Sequence, residues 1–137
     1  MWTKEKTSYG DHIRVNRGMY YHHGIYVTDL HVIHFASITP GHEMDPNEAS
    51  IIDTTLEQFL KGGECEKRIY TEEEEKSKRS PQEIVSYAYS RLGDKGYNVV
   101  SNNCEHFANE CVFGRKQSEQ VNKVIDFLSQ FINTTKW

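Results

Sequence analysis

The sequence predicts an α+β protein, an antiparallel β-sheet with packed helices, on three observations. Residues 20–27 and 31–35 are rich in aromatic and β-branched side chains and are separated by the polar stretch Thr28-Asp29-Leu30, which reads as a β-hairpin. Ser80-Pro81-Gln82-Glu83 combines an N-cap, a first-turn proline and a capping-box glutamate, so a helix starts there. A second helix starts near Ser101-Asn102-Asn103, whose side chains suit the N-cap position, with Asn102 and Glu105 forming a variant capping box.

The remaining elements follow in chain order. Ile51-Ile52-Asp53 is a short apolar strand, and Thr54 to Leu60 is a short helix ended by Gly62-Gly63. The charged stretch 64–78, with the acidic run Glu72 to Glu75, is a solvated loop or helix start. In the helix after Ser80, Ile84, Tyr87, Ala88 and Leu92 recur at helical spacing until Gly93. Residues 97–100 form a strand that delivers the chain to the helix carrying Cys104. Near the C-terminus, Val121, Val124, Ile125, Leu128, Phe131 and Ile132 form one stripe of an amphipathic helix spanning about 118–133. It is far shorter than the ~20 apolar residues a bilayer requires. Packing on the domain's own core is expected, with transient membrane-surface contact as the alternative.

Cys104 lies in the first turn of its helix, where unpaired N–H groups and the helix dipole favour a thiolate. A sulfur nucleophile needs a base, and the hairpin holds candidates. With a three-residue loop, Val27 pairs with His31 and Gly24 lies opposite His34, with His22 diagonal to it on the same face. A two-residue loop places His22 and His34 on opposite faces. In the first register His22 abstracts the thiol proton and His34 orients its imidazole. His23 has the opposite parity, so His22 and His23 cannot both face the Cys104 helix, and one of them is a packing or surface residue. His12, His31 and His42 are expected to be solvated. His106, two positions from Cys104, points to a different face. Cys111 completes an apolar stripe with Phe107 and Ala108 and belongs to the core, and Cys65 has no assigned role. With three cysteines and no CxxC pair, a disulfide framework or structural zinc is not expected. Zinc on His22, His34 and Cys104 fits the residue types, but such a set serves nucleophilic catalysis equally well.

These residues resemble the lecithin:retinol acyltransferase-like family, which includes the small H-Ras-like-suppressor phospholipases and acyltransferases. Gly10-Asp11-His12-Ile13-Arg14-Val15 is similar to its opening strand, residues 22–27 to its histidine strand, and Asn103-Cys104-Glu105-His106-Phe107 to its nucleophile motif. In the family a second histidine follows the base by twelve positions, the separation of His22 and His34. His23 stands where relatives usually carry Trp or Tyr, and Leu30 where Gly or Asn is common in the loop. The resemblance covers about residues 10–114, the expected core of a single domain over 1–137, and implies a circularly permuted NlpC-type, papain-like fold.

What the resemblance implies is a thiol-dependent acyltransferase or phospholipase A. Cys104 attacks a glycerophospholipid ester, His22 is the base, His34 orients it, and the acyl group passes from a thioester to water, an alcohol or an amine. The Cys104 N–H, with Tyr20 or Tyr26, is the expected oxyanion site. No cofactor or metal is implied. A cysteine amidase or peptidase using the same residues, and a non-catalytic interaction module, are the alternatives. A net charge of −4 offers no basic footprint for nucleic acid. Residues 1–6 lead into no apolar run, so with unpaired cysteines the expected setting is cytoplasmic.

Overall fold

The computed structural model describes residues 1–37, 45–98 and 103–114. Among these, six strands form one sheet in which every pairing is antiparallel. The strands are β1 (Trp2–Thr3), β2 (His12–Asn16), β3 (Tyr21–Thr28), β4 (His31–Ala36), β5 (Ser50–Thr54) and β6 (Glu66–Arg68), in the spatial order β1-β6-β2-β3-β4-β5. Four helices accompany it: α1 (Leu56–Leu60), α2 (Glu72–Ser77), α3 (Pro81–Ser90) and α4 (Cys104–Phe113). The expected C-terminal helix, residues 99–102 and His42 lie outside the described residues.

Because side chains alternate across a strand, the sheet sorts its residues between two layers. Ile13, Val15 and Val32 face α1 and pack with Phe59. Ile25, Val27, Ile33 and Phe35 face α3 and α4 and pack with Ile84, Ala88, Phe107, Ala108 and Cys111. Cys111 is thus a core residue, as its spacing predicts.

At α3 the capping signal acts as the sequence implies, and α1, expected from Thr54, opens at a capping box on Thr55. Thr55 and Ser80 each accept the N–H three residues on, and Gln58 and Glu83 return the bond to the cap backbone. The acidic run becomes the exposed helix α2, closed by the same box from Thr71 and Glu74. Three expectations need correction. The box before Cys104 is Asn103 with His106, one residue later than Asn102 with Glu105, so Cys104 is the first helical residue. The helix α3 ends at Ser90 and leaves Leu92 exposed, because the chain turns at Arg91 to Gly93, where Gly93 takes φ +87°. Strands β1 and β6 have no apolar alternation to announce them, since β6 is charged and reads as loop.

The hairpin closes differently from the expected loop and still reaches the expected register. Thr28 pairs with His31 across a two-residue turn, Asp29-Leu30, and a bulge at Val27 then shifts the pairing by one residue, so Tyr26 pairs with Val32 and Ile25 with Ile33. The bulge cancels the change of face that a two-residue turn alone would impose. Leu30 is spared a positive φ; among the described non-glycine residues only Lys61 has one.

Candidate active site

His22 and His34 meet on the α1 face. His22 Nε2 lies 2.9 Å from His34 Nδ1, and His34 Nε2 lies 2.7 Å from Thr54 Oγ1. The Thr54 hydroxyl donates to the Thr55 carbonyl at 3.2 Å, so it must accept from His34 Nε2–H. His34 Nδ1 is then a lone pair, His22 Nε2 carries the proton, and the basic nitrogen of His22 is Nδ1. Both rings are buried against Phe59, at centroid distances of 5.2 Å and 4.9 Å. Gly24 makes that packing possible, since a Cβ there would stand 2.8 Å from Phe59 Cε1 and 3.2 Å from His34 Cβ. Burial first, then the neighbouring His34 and Arg17, hold His22 well below the ordinary histidine value and therefore neutral.

Cys104 enters from the other side. Its Sγ donates to the Tyr21 carbonyl at 3.8 Å, and the backbone N–H groups of His23, Glu105 and Cys104 itself favour its anion. The bonds Tyr26 N–H to Asp11 O and Arg17 N–H to Tyr20 O assign the even-numbered backbone groups of β3 to β2. The odd-numbered groups therefore point toward β4. The β3–β4 register pairs run from Thr28–His31 to Ile25–Ile33, and at Tyr21 to His23 the start of α4 takes β4's place. The sulfur thus sits near the plane of the sheet, bracketed by the two neighbours of His22.

The predicted set is brought together only in part. His22 and His34 touch each other, while Cys104 lies in an open cleft of ≈ 340 Å³ lined by Arg14, Tyr20, Tyr21, His23, Tyr97, Asn103 and Glu105. His23 is the histidine on the α4 face, with His12 behind it: His12 Nε2 and His23 Nδ1 are 2.8 Å apart. The expectation that His12 is solvated is overturned, since it is 1% exposed. Pairing with His23 across the β2–β3 ladder, through Arg14↔His23 and His12↔Ile25, encloses it. A strand reading that places His12 in alternation with Ile13 could have found it. His31 is exposed and pairs with Asp53 at 2.9 Å, and His106 is spent on the α4 cap. Tyr26 is committed to Asp29 at 2.5 Å and lies outside the cleft, which leaves Tyr20 of the two tyrosine candidates.

The thiol also departs from expectation. Burial raises its pKa above the ordinary 9.0, and the backbone N–H of His23, followed by those at the helix start, offsets this only partly. The resting residue is a neutral thiol. Cys65 is pushed up to about 11, also by burial. Among the described residues no group of three His, Cys, Asp or Glu side chains is placed to hold a metal ion, and no helix is long and apolar enough to cross a membrane.

The buried histidines make stability pH-dependent. Folded His12 and His22 titrate well below 6.5 and His23 at about 4, all chiefly through burial. The unfolded chain therefore binds more protons below pH 6.5, and stability present above that value is lost as pH falls toward 4. His23 alone contributes roughly 3 kcal/mol over this window. Thermal unfolding is expected to give a Tm that is flat above pH 7 and declines steeply below 6.5. An unchanged Tm at pH 5 would contradict the buried, neutral state of these rings.

Comparison with known proteins agrees with this architecture. The family described as Lecithin retinol acyltransferase matches residues 5–117. The chain is 33% identical over 123 residues to human "Phospholipase A and acyltransferase 4", covering 83% of this chain and 74% of that protein. It is 29% identical to human "Phospholipase A and acyltransferase 3", covering 85% and 76% of the two chains. It is also 29% identical to rat "Lecithin retinol acyltransferase", covering 83% and 58%. Matched by the family over most of its length, the chain belongs to the lecithin retinol acyltransferase family.

Proposed function

We propose that this protein is a cysteine-dependent acyltransferase or phospholipase A acting on glycerophospholipid esters. The named activities of the relatives support the reaction class. Within the chain, the observation that carries the reading is the hydrogen-bond relay from the Thr55 carbonyl through Thr54 and His34 to His22, which leaves His22 Nδ1 basic. Cys104, lodged against the strand edge on either side of His22, is the nucleophile. It gives its proton to His22 as it turns from the Tyr21 carbonyl to attack the ester carbon. A buried neutral thiol and a neutral base suit this, because no stable ion pair has to be undone before attack. His34 is a positioning residue that fixes the tautomer. His22 then protonates the leaving lysophospholipid oxygen, and the Cys104 thioester passes its acyl group to water, an alcohol or an amine.

The chain order, with the hairpin histidines first and the cysteine helix last, suits a circularly permuted NlpC-type arrangement, and three free cysteines suit a reducing, cytoplasmic setting. Incubation with phosphatidylcholine vesicles and, separately, with peptide amide substrates tests the reading. Fatty acyl release or transfer from the lipid is expected. Amide cleavage without any acyl release would make the protein an amidase instead.

A further inference from the structure

The wall of the Cys104 cleft is backed by a second imidazole pair that the proposed relay does not use. His23 lines the cleft from the α4 face, while His12 sits behind it, 2.8 Å away between Nε2 and Nδ1. The rings meet the Trp2 ring nearly edge to face, at 5.0 Å and 5.5 Å. His12 Nδ1 is buried with no hydrogen-bond partner.

That orphan nitrogen selects the tautomers. If His23 donated from Nδ1, His12 would accept at Nε2 and carry its own proton on Nδ1, a buried donor with nothing to bond. If His12 donates from Nε2, its orphan Nδ1 is a lone pair, and the proton of His23 sits on Nε2. Buried orphan donors are the rarer fault, so the second arrangement holds. Both rings stay neutral at pH 7: burial, followed by the neighbouring charges of Arg14 and Arg68, sets His23 at about 4, and burial, followed by His23, holds His12 well below the ordinary histidine value. His23, which lines the same cleft as Cys104, is therefore an uncharged ring whose proton is on Nε2.

We propose that His23 is a catalytic hydrogen-bond donor of the oxyanion site, acting with the Cys104 backbone N–H, and that His12 is the positioning residue that keeps its proton on Nε2. The inference rests on the acyl-transfer reading above. When sulfur bonds to the ester carbon, the carbonyl π pair moves to oxygen, and the two N–H groups hold that oxyanion without transferring a proton. When the π bond re-forms, the carbon–oxygen bond to the leaving alcohol breaks, and the alcohol takes the proton that His22 removed from the thiol. A neutral imidazole can stabilise charge developing on a carbonyl oxygen in this way. It also replaces the tyrosine donors considered from sequence.

Two reactions at Cys104 separate this role from others. Alkylation by iodoacetamide displaces halide from a tetrahedral carbon and forms no oxyanion; acylation by a p-nitrophenyl ester forms one. Both can be followed on the Cys104 peptide by mass spectrometry in full-length protein. In His23→Met, acylation is expected to fall about 10²–10³-fold with alkylation within two-fold of the parent. His23→Gln, similar in length but with an amide donor, should recover much of the acylation rate. His12→Phe should lower acylation alone, and His12→Gln, which keeps a donor toward His23, should restore it. Parallel loss of alkylation and acylation in His23→Met would make His23 a base and overturn the proposal, as would unchanged rates in both. A parent Cys104 that alkylates but accepts no acyl group would overturn the acyl-transfer reading itself, and the donor role with it.

Discussion

Cys104→Ala is expected to abolish covalent acylation. Intact-mass measurement after brief incubation with a short-chain phosphatidylcholine should show one added acyl group on the parent protein and none on the variant, with lipid turnover at background. The fold should tolerate the change. The thiol's bond to the Tyr21 carbonyl is long, at 3.8 Å, and alanine keeps the helix start that Asn103 caps. His22→Phe should keep the thiol and lose the proton acceptor, lowering acylation by about 10²–10⁴-fold. An acyl adduct that persists in Cys104→Ala, carried for instance by the half-buried Cys65, would remove Cys104 as the nucleophile.

Phe59→Ala carries the largest expected cost in stability. Phe59 is 0% exposed and is the aromatic centre of the layer beneath α1, in contact with Ile13, Val15 and Val32. Removing such a ring costs about 3–5 kcal/mol, a large part of the total stability of a domain. For a chain of this size a fall in Tm of roughly 10–20 °C is expected in calorimetry. Activity should fall as well at temperatures where the variant is folded, because the same ring braces His22 and His34, and its backbone carbonyl anchors Arg17 at 2.6 Å. A variant with the stability of the parent would show that α1 contributes little to the second layer. A destabilised variant with full acylation rates would show that the histidine relay does not need this brace.

Much of the fold was readable from short-range chemistry. The capping box at Ser80, the glycines after Leu60, and the aromatic and β-branched content around Ile25 and Ile33 act over a few residues, and the physics that reads them is local. The charged strand β6 was not readable, because it forms by pairing with β1 and β2 and buries no apolar stripe of its own. The hairpin shows the limit at one residue. Segment composition implies two paired strands, but a bulge at Val27 decides which residues share a face, and that depends on how the sheet twists and packs.

The candidate site divides in the same way. Sequence by itself determined the family, the Cys104 helix start, and the twelve-residue spacing of His22 and His34, because each rests on residue identity or local periodicity. Only the tertiary structure decided that His22 and His34 meet over Phe59, that the thiol is held neutral by burial, and that His12 pairs with His23 behind the cleft wall. Those outcomes depend on which layer covers each face and how much water it excludes. Burial and face are properties of the packed sheet, not of any segment.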